Sequence, residues 1–180
     1  MTGPQDLSRV VLDYQAAGDE QSHDAAVSLL RAAGLGWPRT EFDPGHFTAS
    51  GFVLSPDNRS LLLIHHAKLG RWLQPGGHFE PQDHSVEDAA RREVAEETGV
   101  ADLRKVGESL VRIDAHAIPK RRDEPEHIHF DLGVGFQSDT WPIGLIDEVL
   151  DARWVPFDEL SAYDVDEAVQ LGAQTLRSLG

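Results

Sequence analysis

The chain has 180 residues, no cysteine, and a net charge of −15 from 31 acids against 16 bases. Disulfides and cysteine-ligated zinc are excluded, and broad binding to nucleic acid or an anionic membrane is disfavoured. With 40% hydrophobic and 26% charged residues, no membrane-length apolar run and no basic-then-apolar start, the expectation is a cytoplasmic globular domain with a small appendage.

Residues 6–33 read as a helical pair: LSRVVLDYQAAG, then a second helix opened by Ser22 or Asp24 and stopped at Gly34. Val27, Leu30 and Ala33 recur there at helical spacing. Gly36-Trp37-Pro38 and Asp43-Pro44-Gly45 punctuate a linker over 34–45, so a helical segment, 1–45, precedes a main domain, 46–180. A hairpin signal follows, HFTASGFVLS and SLLLIHH around a turn at Pro56-Asp57-Asn58. A short strand from Arg71 to Gln74 leads into a glycine turn. Ser85-Val86-Glu87-Asp88 then fits a helix-opening capping box, and Gly99 fits the left-handed stop. Beyond it lie strand-like 103–115, the loop IPKRRDEPE, strand-like 127–136, the segment ARWVPFDEL and a closing amphipathic helix over 164–178.

The densest chemistry is Gly76-Gly77-His78-Phe79-Glu80-Pro81 followed by Arg92-Glu93-Val94-Ala95-Glu96-Glu97-Thr98-Gly99-Val100. Glu93, Glu96 and Glu97 stand at i, i+3 and i+4, so their carboxylates share one helical face. Carboxylates that close repel one another unless a cation lies between them, and hard divalent ions prefer such oxygens. An Arg-Glu-x-x-Glu-Glu run alone also suits a solvated helix. The glycine turn before it and Gly99-Val100 after it separate this one from that background.

The segment resembles the Nudix box, G-x5-E-x7-R-E-U-x-E-E-x-G-U, with U a bulky aliphatic residue. Arg92, Glu93, Val94, Glu96, Glu97, Gly99 and Val100 match every specified position of its second half. The first half departs: counting from Gly77, the acid is Asp83 instead of glutamate, and eight residues instead of seven separate it from Arg92. The resemblance covers residues 47–162 and implies an α/β/α sandwich with a mixed sheet, preceded here by the N-terminal helical segment. It implies Mg²⁺ or Mn²⁺ held by Glu93, Glu96, Glu97 and the Gly76 carbonyl, with Arg92 orienting the acids. In the family the first box acid mostly supports the site. The implied reaction is attack of water on phosphorus in a nucleoside diphosphate linked to another group. Glu97, Glu93 and Glu148 are alternative bases, and Glu148 is equally well a solvated loop acid. The implied partner is a small nucleotide or diphosphate, with no membrane and no nucleic acid, and the resemblance allows a homodimer. A nucleotide-sensing module without hydrolysis is the rival reading. Such regulators usually append a DNA-binding helical domain, whereas the helical segment here offers only Arg9 and Arg31 as bases. The isoprenoid diphosphate isomerase branch relies on a cysteine that this chain lacks.

Several residues outside the box are candidates for substrate. Lys68, Arg71 and Trp72 precede it and suit phosphate contact or base stacking, although Trp72 also suits sheet packing. Lys120, Arg121 and Arg122 form a dense basic run in a Pro-flanked loop, suited to a diphosphate or merely solvated. His127, His129 and Asp131 alternate onto one strand face, near Asp114 and His116 in sequence. They suit a transition metal, a substrate phosphate, or the polar face of an edge strand.

Overall fold

A computed structural model describes residues 3–33, 36–121, 124–141, 143–144 and 149–179. Two helices open the chain, α1 (Leu7–Asp13) and α2 (Glu20–Ala33). The second starts before the expected Ser22 or Asp24, because the Asp19 carbonyl already accepts from His23 N at 3.0 Å. Its expected stop, Gly34, lies outside the described residues.

Eight strands form one mixed sheet: β1 (Gly45–Leu54), β2 (Ser60–His66), β3 (Arg71–Leu73), β4 (Gly76–His78), β5 (Leu103–Lys105), β6 (Arg112–Ile118), β7 (His127–Ser138) and β8 (Val149–Pro156). Helix α3 (Val86–Thr98) carries the glutamates, and α4 (Glu167–Leu179) closes the chain after a short 3₁₀ turn at Leu160–Tyr163. The backbone path is β3-β2-β1-β7-β5, with β4 on β1, β6 on β7 and β8 on β2. Among the described residues only β1 and β7 run parallel, with Gly45 opposite Ile128 and His46 opposite His129.

Three expected elements take a different form. The hairpin of β1 and β2 is paired in register at Leu54 and Leu61; β2 then pairs with β8 and β3, while β4 lies against β1 at Thr48–Ser50. The glycine turn is therefore itself a strand. The stretch 103–115 is two strands: Gly107, at φ +76°, breaks it, and β5 and β6 pair with opposite ends of β7.

Alternation along β1 divides the sheet into two faces. Phe47, Ala49 and Val53 pack with Phe130, Leu132, Val134 and Phe136 under Val86, Ala89, Ala90 and Val94 of α3. Leu7, Val11, Tyr14, Ala26 and Leu29 of the N-terminal segment join that same core. Phe52 and Leu54 face the other way, into a cluster with Val169, Ala173 and Leu176 of α4. Helix α3 lies close because Gly51 sits beneath it: a β-carbon there would stand 2.3 Å from Val94 Cγ2. The N-terminal segment also covers the edge of the sheet. Asp19 Oδ2 accepts from Ile113 N at 2.9 Å and Ser22 Oγ from Ala115 N at 3.1 Å, occupying donors that strand β6 leaves unpaired.

Candidate active site

Ser85 and Gly99 fix the ends of α3. The Ser85 hydroxyl accepts from Asp88 N at 3.0 Å, and Gly99, at φ +69°, returns its N–H to the Ala95 carbonyl. The cap and the Gly51–Val94 contact set how α3 faces β4. Gly76 N donates to Glu97 Oε2 at 2.9 Å. A β-carbon on Gly77 would stand 2.6 Å from Glu93 Oε1, so only glycine leaves that carboxylate its place. The two glycines seat the acids against the strand.

Arg92 organises the same group. Its Nε and Nη2 grip both Asp83 oxygens at 3.1 and 2.9 Å, and Nη2 also donates to the His78 carbonyl at 2.8 Å. Its Nη1 reaches Glu93 at 2.8 Å and Glu96 at 3.0 Å. Asp83, 3% exposed, additionally accepts from Glu80 N at 2.8 Å. The shifted, shorter first-half acid is thus the buried anchor of Arg92. Burial works against the guanidinium charge, yet Asp83 and Glu93 more than offset it and hold the group protonated. Burial pushes the Glu93 carboxyl above its ordinary range against the pull of Arg92, and the Glu96 and Asp83 charges add to the push.

Three carboxylates, those of Asp83, Glu93 and Glu96, pair with one guanidinium, and Glu97, from the same helical face as Glu93 and Glu96, is held by Gly76 N–H. That donor set is all oxygen and carries excess negative charge, which fits a hard divalent cation such as Mg²⁺ or Mn²⁺. Glu93, Glu96, Glu97 and the Gly76 carbonyl are the groups that could hold it.

The other candidates are dispersed. Lys68 is exposed on the β2–β3 turn, and Arg71, also exposed, lies 3.6 Å from Asp166. Trp72 is half-buried, stacked on His65 at 5.2 Å, edge-on to Tyr163 at 5.1 Å, with the Arg153 guanidinium over its ring at 5.3 Å. Lys120 and Arg121 are exposed on the β6–β7 loop, where Arg121 and Glu124 exchange backbone hydrogen bonds. Arg122 and Glu148 lie outside the described residues.

On the sheet face that also carries Phe52, β7 presents His127, His129 and Asp131 together, as alternation predicts. Asp131 is committed elsewhere, accepting from Thr48 Oγ1 at 3.0 Å, Ser50 Oγ at 2.6 Å and Gln74 Nε2 at 3.2 Å. The residue that joins the two histidines is His46, which the sequence reading did not single out. Its ring lies 5.1 Å from His127 and 4.8 Å from His129. A parallel pairing between distant strands leaves no local pattern that could have flagged it.

Comparison with known proteins finds both a family and similar folds. The NUDIX domain family matches residues 45–177. A hydrolase of the NUDIX family from Clostridium perfringens has 24% identity and a TM-score of 0.53, over 75% of this chain and 98% of that one. The dihydroneopterin triphosphate pyrophosphohydrolase of E. coli shares 14% identity at a TM-score of 0.55, over 74% and 96%. The NUDIX domain of Shewanella oneidensis NrtR, solved with ADP ribose, shares 19% at 0.52, over 73% and 86%. No curated protein compared with the chain matches it.

Proposed function

The chain belongs to the Nudix superfamily, and from that premise we propose that it is a divalent-metal-dependent hydrolase of a diphosphate linkage in a nucleoside diphosphate derivative. The observation that carries this reading is the set of three carboxylates on Arg92 together with Glu97, the glutamates seated against Gly76 and Gly77. A bound Mg²⁺ or Mn²⁺ would supply charge neutralisation for the diphosphate and acidify a water molecule.

The protein groups supply position, which is most of what phosphoryl chemistry asks of an enzyme. Asp83 and the His78 carbonyl fix the Arg92 guanidinium, which in turn aligns Glu93 and Glu96. Glu93 is held by Arg92 as part of the aligned acid pair, and Glu97, outside that pair and oriented by Gly76 N–H, is assigned the role of proton acceptor. Water adds its oxygen to phosphorus, its proton passes to the carboxylate, and the bridging P–O bond breaks to release two phosphate products. Trp72, Lys68, Arg71, Lys120 and Arg121 are proposed to receive the remainder of the substrate, Trp72 by stacking and the cations by phosphate contact.

Product analysis with Mg²⁺ or Mn²⁺ tests this, across nucleoside triphosphates, ADP-ribose, nucleotide sugars and dinucleoside polyphosphates. One class is cleaved with ¹⁸O from labelled water entering the phosphate product, and Glu97→Gln lowers kcat by about 100-fold or more. Saturable nucleotide binding without turnover would overturn the hydrolase and leave a nucleotide-sensing module.

A further inference from the structure

Five imidazoles crowd the open part of the sheet face beyond α4. His46 stands on β1, His78 on β4, His116 on β6, and His127 and His129 on β7. Registers β1–β7 and β6–β7 align His46, His129 and His116 in one row across three strands. The His78 ring lies 5.1 Å from His46 and 5.0 Å from His129. Such crowding is costly when the rings are charged, because like charges repel and burial strips their solvation.

Backbone carbonyls decide what the neutral rings offer. His46 Nδ1 lies 2.8 Å from the Glu41 carbonyl, and His127 Nδ1 lies 2.8 Å from the Pro125 carbonyl. A carbonyl only accepts, so Nδ1 carries the proton in both rings, and the neutral tautomer that this selects has its lone pair on Nε2. His46 is 0% exposed, and its Nε2 is buried with no hydrogen-bond partner among the described residues. A buried acceptor left without a donor costs free energy unless something occupies it. One ligand nitrogen from each of His46, His127 and His129 lies within 4.8 Å of the other two. A shared ion at ~2.1 Å from each would bring the nitrogens to roughly 3.4 Å apart, a ring movement on the order of 1 Å.

We propose that His46, His127 and His129 form a binding site for a borderline divalent transition metal, of the Zn²⁺ class, separate from the carboxylate site on α3. Two of the three imidazoles, His46 and His127, have Nδ1 held by a backbone carbonyl, the arrangement by which proteins orient histidine ligands. Nitrogen donors select Zn²⁺, Co²⁺ or Ni²⁺ over Mg²⁺. Asp131 is not a ligand, because Thr48, Ser50 and Gln74 occupy its oxygens. Phe42 closes one side, its ring 5.0 Å from His127 and 6.2 Å from His46. His116, its Nδ1 2.8 Å from Asp114 Oδ2, flanks the other, 5.7 Å from His129. Three protein ligands leave a further position for water or a substrate atom.

Untagged, chelator-stripped protein is titrated with Zn²⁺ by calorimetry in millimolar Mg²⁺, and with Co²⁺ by visible absorption. The expected result is one equivalent bound despite the Mg²⁺, with Co²⁺ bands of a four- or five-coordinate nitrogen site. His46→Gln and His129→Gln each weaken binding by about 100-fold or more, whereas Glu97→Gln leaves it unchanged. The wild-type Co²⁺ spectrum decides the question even if a histidine variant fails to fold. No bound equivalent, a six-coordinate oxygen spectrum, or binding lost in Glu97→Gln but kept in His129→Gln would overturn the proposal. None of these readouts depends on turnover, so failure of the hydrolase reading is distinguished from failure of this one.

Discussion

Asp83→Ala should be the most damaging single change in the box outside its glutamates. The aspartate is 3% exposed and makes three hydrogen bonds: two to Arg92, at 3.1 and 2.9 Å, and one from Glu80 N at 2.8 Å. Removing one partner of a buried ion pair costs about 3–5 kcal/mol, because the other charge stays desolvated. Here Arg92 keeps Glu93, Glu96 and the His78 carbonyl as acceptors, which places the loss near the lower end, about 3 kcal/mol. For a chain of this size that lowers Tm by roughly 6–12 °C. Asp83→Asn keeps the shape and one acceptor, and should cost about 1–2 kcal/mol. The assay is urea and thermal unfolding of both variants, with Arg92→Met and the double variant closing a cycle. A coupling of about 2 kcal/mol or more between Asp83 and Arg92 is expected. A Tm within about 2 °C of wild type for Asp83→Ala, or additive effects in the cycle, would refute the anchoring argument.

Two glycine substitutions should separate positioning from stability. Gly77→Ala drives a methyl against the flexible Glu93 carboxylate, at 2.6 Å, so turnover should fall by about 10-fold or more while unfolding changes little. Gly51→Ala drives one against the branched Val94, at 2.3 Å, which cannot swing away, and should cost about 1–3 kcal/mol in urea unfolding. Equal stability loss in the two would contradict the assignment. Acid should weaken the metal-free fold through its histidines. The folded pKa values of His78 and His129 lie below the unfolded value of 6.5, so the unfolded chain binds more protons and stability falls as pH drops below 6.5. For His78, about 4 when folded, the full loss is at most about 3 kcal/mol. His116, raised by Asp114 against the effect of its burial, acts oppositely and loses its contribution as pH rises through its folded pKa. Urea unfolding with chelator between pH 6.5 and 5 therefore isolates the lowered group, and His78→Gln should flatten the slope. An equal slope in that variant would exclude His78 as its source.

What could be read beforehand was local. Ser85 and Gly99 announce the ends of α3 because capping is a property of four or five neighbouring residues, and the structure places both as caps. The period of two along residues 127–131 put His127 and His129 on one face for the same reason. Pairing between distant segments has no such signature. Nothing in HFTASGFVLS says that it lies parallel to HIHFDLGVGF, and only that register carries His46 to His129. The same pairing brings Thr48 and Ser50 to Asp131 and so removes the carboxylate from the ligand set. The extra residue between Asp83 and Arg92 reads as a defect in the box, whereas the turn at residues 80–83 delivers Asp83 to Arg92. Gly107 could have divided 103–115, since a positive φ is where glycine is favoured inside an otherwise strand-like run.

Strand β4 explains why two sites of opposite chemistry can stand so close. Its three residues alternate: Gly77 faces α3 and gives Glu93 room, while Gly76 and His78 face the other way, beside Ser50 and the imidazoles. Oxygen donors thus gather on the helix side and nitrogen donors on the opposite side, with one peptide plane between them. First-row ions bind most ligand sets more tightly than Mg²⁺ does, so a carboxylate cluster alone could not reject Zn²⁺ by affinity. The proposed imidazole site would give such an ion a better partner and leave the carboxylates to the abundant hard cation. Arg92 belongs to both sides of this arrangement, since the guanidinium that aligns Glu93 and Glu96 also holds the carbonyl of His78. Movement of His78, as the His46 and His129 rings beside it draw onto an ion, would therefore be felt at the box through one hydrogen bond.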